Sequence, residues 1–212
     1  MFLLGVKVDH DSAAAFLVIL EKQLKNVRNF FVLRDARHLP AAACQEEMAA
    51  FYHDDIYTIR KRVFSQDRRP KKDVSARPAL VMAAGEKDLP VINTLRDKGI
   101  PVEAIFTEEC CPGPPPERAG IGKNHAVSEQ AMVESLNQVL AQKRLDVKLE
   151  TPSPFTPQLS ELDRLLNASP QDRSGITAPP LLMAAAAPIW FKENVRYAAV
   201  YRTSATSVRK YK

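Results

Sequence analysis

Four carboxylates of this 212-residue chain stand where chemistry could begin. Asp9 and Asp11 follow the first apolar run, and Glu86 and Asp88 follow a later one. Acids gathered beyond the ends of neighbouring strands can hold divalent cations through oxygen. Asp9 lies two residues beyond Lys7, and so shares its face in an extended strand. Acids in polar turns also cap helices and face water, and Asp88 at the start of a helical segment suits the helix dipole. The softer ligands point nowhere. Cys44 stands alone and Cys110-Cys111 are adjacent, so there is no CxxC pair, and His10, His38, His53 and His125 are scattered without zinc spacing. Gly122-Lys123 invites a phosphate-loop reading, but Glu117 sits where the first glycine belongs and Asn124 where Ser or Thr should be.

Basic side chains are the second chemical signal. Arg60, Lys61, Arg62, Arg68, Arg69, Lys71, Lys72 and Arg77 crowd one segment against only Asp67 and Asp73. Arg196, Arg202, Arg209, Lys210 and Lys212 close the chain, whose formal net charge is +5. Such runs suit phosphate contacts, where each neutralised phosphate releases counterions. They equally describe a solvated linker and a tail. The first cluster is therefore the candidate nucleic-acid surface. With 45% hydrophobic and 26% charged residues, the composition is that of a soluble globular domain with a core to bury. No apolar run reaches the roughly 18 residues of a membrane span. The opening Met1-Phe2-Leu3-Leu4-Gly5 lacks the basic start of a signal peptide, so a cytoplasmic protein without a membrane partner is expected.

The elements that must position these groups follow from periodicity. Phe2 to Val8, Ala14 to Leu20 and Phe30 to Leu33 read as three strands whose small spacings predict an antiparallel meander. Residues 41–65 turn helical, with Met48, Phe51, Tyr52, Ile59 and Val63 on one stripe. The basic stretch 66–77 reads as an exposed connection before a buried strand at 79–83. A helix over 88–98 stops at Gly99, and a strand from Pro101 to Phe106 completes a parallel crossover unit. Residues 109–124 read as a loop. Helices are predicted at 127–143 and 157–167, a short strand at 145–149, and a wholly apolar helix at 181–191. Together they give an α/β domain over residues 1–195 and a basic C-terminal tail over 196–212. Its sheet is mixed, an antiparallel meander plus parallel strands, with helices on both faces. That order is what an RNase H-like fold requires.

Specific strings carry a resemblance. Leu80-Val81-Met82-Ala83-Ala84 with the segment from Leu89 to Val102, the helix Val133 to Leu140, its exit Lys143 to Val147, the Glu161-Leu162 pair and the opening Phe2 to Val6 resemble the nuclease domain of phage terminase large subunits. The resemblance spans roughly residues 1–190 in loose apolar patterns. It implies an RNase H-like fold and a pair of Mg²⁺ ions held by acids of the first strand, the middle strand and the late helix. Carried over position by position, it puts Lys7 and Ala83 at the two strand acids. Pro179-Pro180 precede the late helix, where the family has an acidic pair. All three corners of the metal site are replaced.

Three functions follow as expectations. The leading one is a pseudo-nuclease: a non-catalytic protein, without cofactor, that binds nucleic acid (DNA) or docks to a phage or mobile-element assembly. A Mg²⁺- or Mn²⁺-dependent nuclease built on Asp9, Asp11, Glu86 and Asp88 is the second. A structural domain that meets a protein partner or itself through the helix at 181–191 is the third.

Overall fold

The structure, a computed structural model, describes residues 1–53, 78–107, 122–147, 156–168 and 178–195. Its frame is one seven-stranded sheet in the order β6-β5-β4-β1-β2-β3-β7. Strands β1 (Phe2–Asp9), β2 (Ala14–Lys25) and β3 (Arg28–Pro40) form an antiparallel meander. On the other side of β1, β4 (Ala79–Ala84), β5 (Val102–Thr107) and β6 (Asn124–Val127) add in parallel, and β7 (Leu145–Val147) lies parallel to β3 at the far edge. A meander extended by parallel strands on the first strand's side is the RNase H-like fold.

The central strands are apolar on both faces because both are covered. Phe2, Leu4, Val6 and Val8 of β1, with Leu80, Met82 and Ala84 of β4, join a core with α1 (Cys44–His53) and α2 (Leu89–Asp97). Leu3, Val81 and Ala83 face the opposite core, with α3 (Glu129–Ala141), α4 (Thr156–Asn167) and α5 (Pro180–Asn194). The predicted C-terminal stop of α2 is present: Gly99 adopts φ +76°, a conformation that suits glycine. Among the described residues no helix is long and apolar enough to cross a membrane.

Helix α5 is the element that the others enclose. It packs directly on β1, β2 and β4, and α3 packs against its outer side. A helix buried on two sides should be apolar all round, and every residue from Leu181 to Ile189 is buried. Its approach to the sheet is unusually close at Gly5. A Cβ on Gly5 would collide with the carbonyl oxygen of Ala184 and lie 2.8 Å from Cγ of Pro188. Pro188 has no N–H to return to the carbonyl four residues earlier, which is that of Ala184. The proline thus frees the carbonyl that rests against Gly5.

Several boundaries differ from the periodicity. β2 and β3 run well beyond Leu20 and Leu33, and β3 carries a register shift opposite Ile19/Leu20. The irregularity inserts Arg34, whose guanidinium donates to Glu21 Oε2 at 2.7 and 3.0 Å. It keeps Phe31, Leu33 and Ala36 in one core although their spacing changes from even to odd. The predicted loop at 109–124 ends in β6, and the helix expected from Val127 begins at Glu129, capped by the Ser128 hydroxyl, which accepts from the Ala131 N–H at 3.2 Å. The helix expected over 41–65 opens as a 3₁₀ turn at Ala41–Ala43 and is described to His53. Ile59, Val63 and the stretch 66–77 lie outside the described residues, as does the tail 196–212.

Gly5→Val should destabilise the fold by about 3 kcal/mol or more, since backbone oxygen and a proline ring cannot yield to a branched side chain. A urea titration of the two proteins reads the shift in midpoint.

Candidate functional site

Parallel strands present their C-terminal ends together, and ligands of open α/β sheets bind there. At the ends of β1 and β4 this chain has an open cleft of about 390 Å³. Lys7, Asp9, His10 and Asp11 line it from β1 and the following turn. Gly85, Glu86, Lys87 and Asp88 line it from the turn after β4. Glu129 enters from the start of α3, and Ala178 and Pro180 from the start of α5.

Of the positions carried over from the terminase resemblance, Lys7 and Pro180 line this cleft. Lys7 and Ala83 are register partners in the β1–β4 pairing, and Pro180 shares the cleft with Lys7. Ala83 itself is fully buried in the core beneath, and Pro179 is the N-cap residue of α5. The four fallback acids, Asp9, Asp11, Glu86 and Asp88, all line the cleft. Two of them are already occupied. Asp9 accepts from the Ser12 hydroxyl at 2.6 Å and from the Asp11 N–H at 3.1 Å. The Ser12 bond holds its carboxyl below the usual carboxylate range against some desolvation, and Lys7 adds a smaller electrostatic pull. Asp88 is 1% exposed; its Oδ2 accepts from the Gly85 N–H at 2.8 Å, and its Oδ1 lies 2.8 Å from Nε2 of His10. It therefore closes the turn that starts α2 and ties it to the turn after β1.

A two-metal centre does not fit this donor set. Among the described residues no three His, Cys, Asp or Glu side chains are grouped to hold a metal ion. Lys7 of β1 shares the cleft, and Asp9 and Asp88 are held by bonds of their own turns rather than turned toward one point. What the cleft also offers is donor groups, Lys7, His10 and Lys87, beside carboxylates of which Asp11 and Glu86 are exposed. Such a mixture can hold an anionic oxygen by charge and hydrogen bonding.

Sequence reasoning missed Glu129, His10 and Lys87 as cleft residues. Glu129 could have been found from β6: a strand ending at Val127 delivers the next helix start to the same sheet edge. The candidate nucleic-acid residues Arg60, Lys61, Arg62, Arg68, Arg69, Lys71, Lys72 and Arg77 lie outside the described residues, as do Cys110 and Cys111. Cys44, the first residue of α1, is buried against the sheet, and burial pushes its thiol up to about 12.

A second charged group sits under the opposite sheet edge. Glu103 of β5 accepts from the Lys123 N–H at 3.2 Å and lies 3.3 Å from Nε2 of His125, whose ring meets Trp190 and Phe191 edge-on. Burial, with Lys22 nearby, lowers the Lys192 ammonium to about 8, and Glu103 only partly restores it. Between about pH 8 and the ordinary lysine range the unfolded chain binds the proton that the folded chain has lost, so folding stability should rise with pH there. Below about 8 the burial cost is fully present. Urea midpoints measured across this window should climb in the wild type and climb less in Lys192→Met.

Neither a protein-family model nor a curated protein matches the chain. Two solved structures are similar to it, both of the human cytomegalovirus terminase nuclease domain. The first, soaked with manganese, is 10% identical with a TM-score of 0.44, over 89% of this chain and 82% of that one. The other is 9% identical with a TM-score of 0.47, over 90% of this chain and 84% of that one.

Proposed function

We propose that this chain is a non-catalytic RNase H-like protein that binds nucleic acid, with residues 1–195 as the folded unit and 196–212 as a basic tail. The observation that carries the reading is Lys7. It stands at the end of β1, next to Ala83, in a cleft where a two-metal nuclease needs carboxylates. Lys7, with Lys87 beside it, can bind phosphate oxygen, against the five carboxylates that share the cleft. The basic residues 60–77 and the tail extend the same preference along the chain, and the net charge of +5 favours association with a polyanion.

One observation favours a second reading. Asp9, Asp11, Glu86, Asp88 and Glu129 share the cleft, and a nuclease with displaced acids would draw on them. Against it, Asp9 and Asp88 would have to give up bonds that shape their own turns.

One titration on supercoiled and linear DNA with Mn²⁺ separates the two. A gel shift that weakens steeply with salt, without nicking, is expected. Lys7→Glu should weaken the shift by about tenfold, as loss and inversion of a phosphate-facing charge would. Nicking by the wild type that disappears in Asp9→Ala would overturn the non-catalytic reading.

A further inference from the structure

The β2–β3 ribbon leaves the sheet at the end opposite the cleft. Its last pair alongside β1 is Phe2↔Glu21, and the ribbon continues through Lys22↔Phe31 to Lys25↔Arg28. The eight residues of β1 put this tip about 25 Å or more from the cleft. Two residues close it, Asn26 at φ +50° and Val27 at φ +65°. A two-residue hairpin turn with positive φ at both positions takes Asn and Gly by preference, and a β-branched residue there is strained. Val27 is also 91% exposed and Leu24 70%. The fold thus carries a strained, solvent-facing Val27 and a second exposed apolar side chain, Leu24, that its own packing does not use, a combination that points to a partner.

The surroundings define the partner's charge. Lys25 and Arg28 flank the turn and are exposed, and Lys25 Nζ lies 3.8 Å from the Phe30 ring centre. Exposed Lys143 is held beside them, since its neighbour Arg144 donates to Asn29 O at 2.8 Å and accepts at its carbonyl from the Phe31 N–H at 2.8 Å. The nearby carboxylates are engaged elsewhere: Glu21 with Arg34, and Glu193 with Arg144 and Asn29. Among the described residues no acid forms an ion pair with Lys25, Arg28 or Lys143. The same Asn29 and Arg144 bonds fix the ribbon's base to the end of α5, so the tip projects from an anchored base.

We infer that this tip is a second nucleic-acid contact, entering a groove of a duplex with Leu24 and Val27 against bases or sugars while Lys25, Arg28 and Lys143 meet phosphates. A two-stranded ribbon fits a DNA groove, and apolar side chains serve as wedges between base steps. Two apolar side chains framed by three cations match a narrow anionic groove better than the broad apolar face of a protein partner. The inference rests on the reading that the chain binds nucleic acid.

Anisotropy of a fluorescein-labelled DNA duplex, titrated with the full chain at several salt concentrations, tests it. Val27→Gly removes the strain with the wedge, so it should be at least as stable to urea as the wild type yet bind about tenfold more weakly. Lys25→Ala/Arg28→Ala should lower the slope of log affinity against log salt by about two. If the wild type binds and both variants match it in affinity and slope, the ribbon contact is wrong and the proposed function stands. If the wild type does not bind DNA at any salt tested, both fail.

Discussion

The contact between Gly5 and the Ala184–Pro188 turn is the constraint around which the domain is built. β1 is the strand where the antiparallel and parallel halves of the sheet join, and α5 lies directly across it. The helix can lie there only because the strand has no side chain at that point and the helix offers alanines and a proline. Leu181, Leu182, Met183, Ile189 and Phe191 are then at most 2% exposed. Each such side chain contributes about 2 kcal/mol relative to exposure, so this helix alone supplies roughly 10 kcal/mol of gross burial. That is comparable with the whole net stability of a typical domain.

Both charged ends of the molecule follow from this seating. The start of α5 brings Ala178 and Pro180 to the cleft around Lys7, and its last turn brings Lys192 and Glu193 under the base of the β2–β3 ribbon. Because the helix is pinned at its middle, neither end can shift without disturbing the other. Lys192 is the element that bears a cost. Its ammonium is partly desolvated beneath the sheet edge, whereas Glu193 is matched there by Arg144 and Asn29.

Much of this was legible in the sequence where one physical signal dominated. β1 and β4 are apolar on both faces, α5 is apolar all round, and Gly99 stops α2. These identified the mixed sheet and its covered faces. What failed were elements whose signal is broken or shared. The second half of β3 lost its alternation at Arg34, because a register shift moves Ala36 onto the face of Leu33. The outer half of β2, Glu21 to Lys25, is polar because it forms the projecting ribbon rather than a core strand. β6 is four residues long, too short for a period to show. The cleft was legible to the same degree: strand register yielded Lys7, Asp9 and the turn acids, whereas Glu129 depended on the missed strand.

The cleft also shows why counting acids at a site says little about what they do. Five carboxylates line it, yet a metal centre requires oxygens that converge on one point, and among the described residues no three such groups do. Asp9 and Asp88 satisfy backbone N–H groups of their own turns, so each holds the local chain in shape, and Asp88 also draws His10 across from the neighbouring turn. Hydrogen bonds to a carboxylate stabilise its charged form without needing a cation. Lys7 then supplies positive charge from the protein itself, a small addition to the bonds that hold the Asp9 carboxylate charged. Lys7 and Lys87 offset only part of the charge of five carboxylates, so the hydrogen bonds of the two turns, and not a balance of charges, are what hold Asp9 and Asp88 in place.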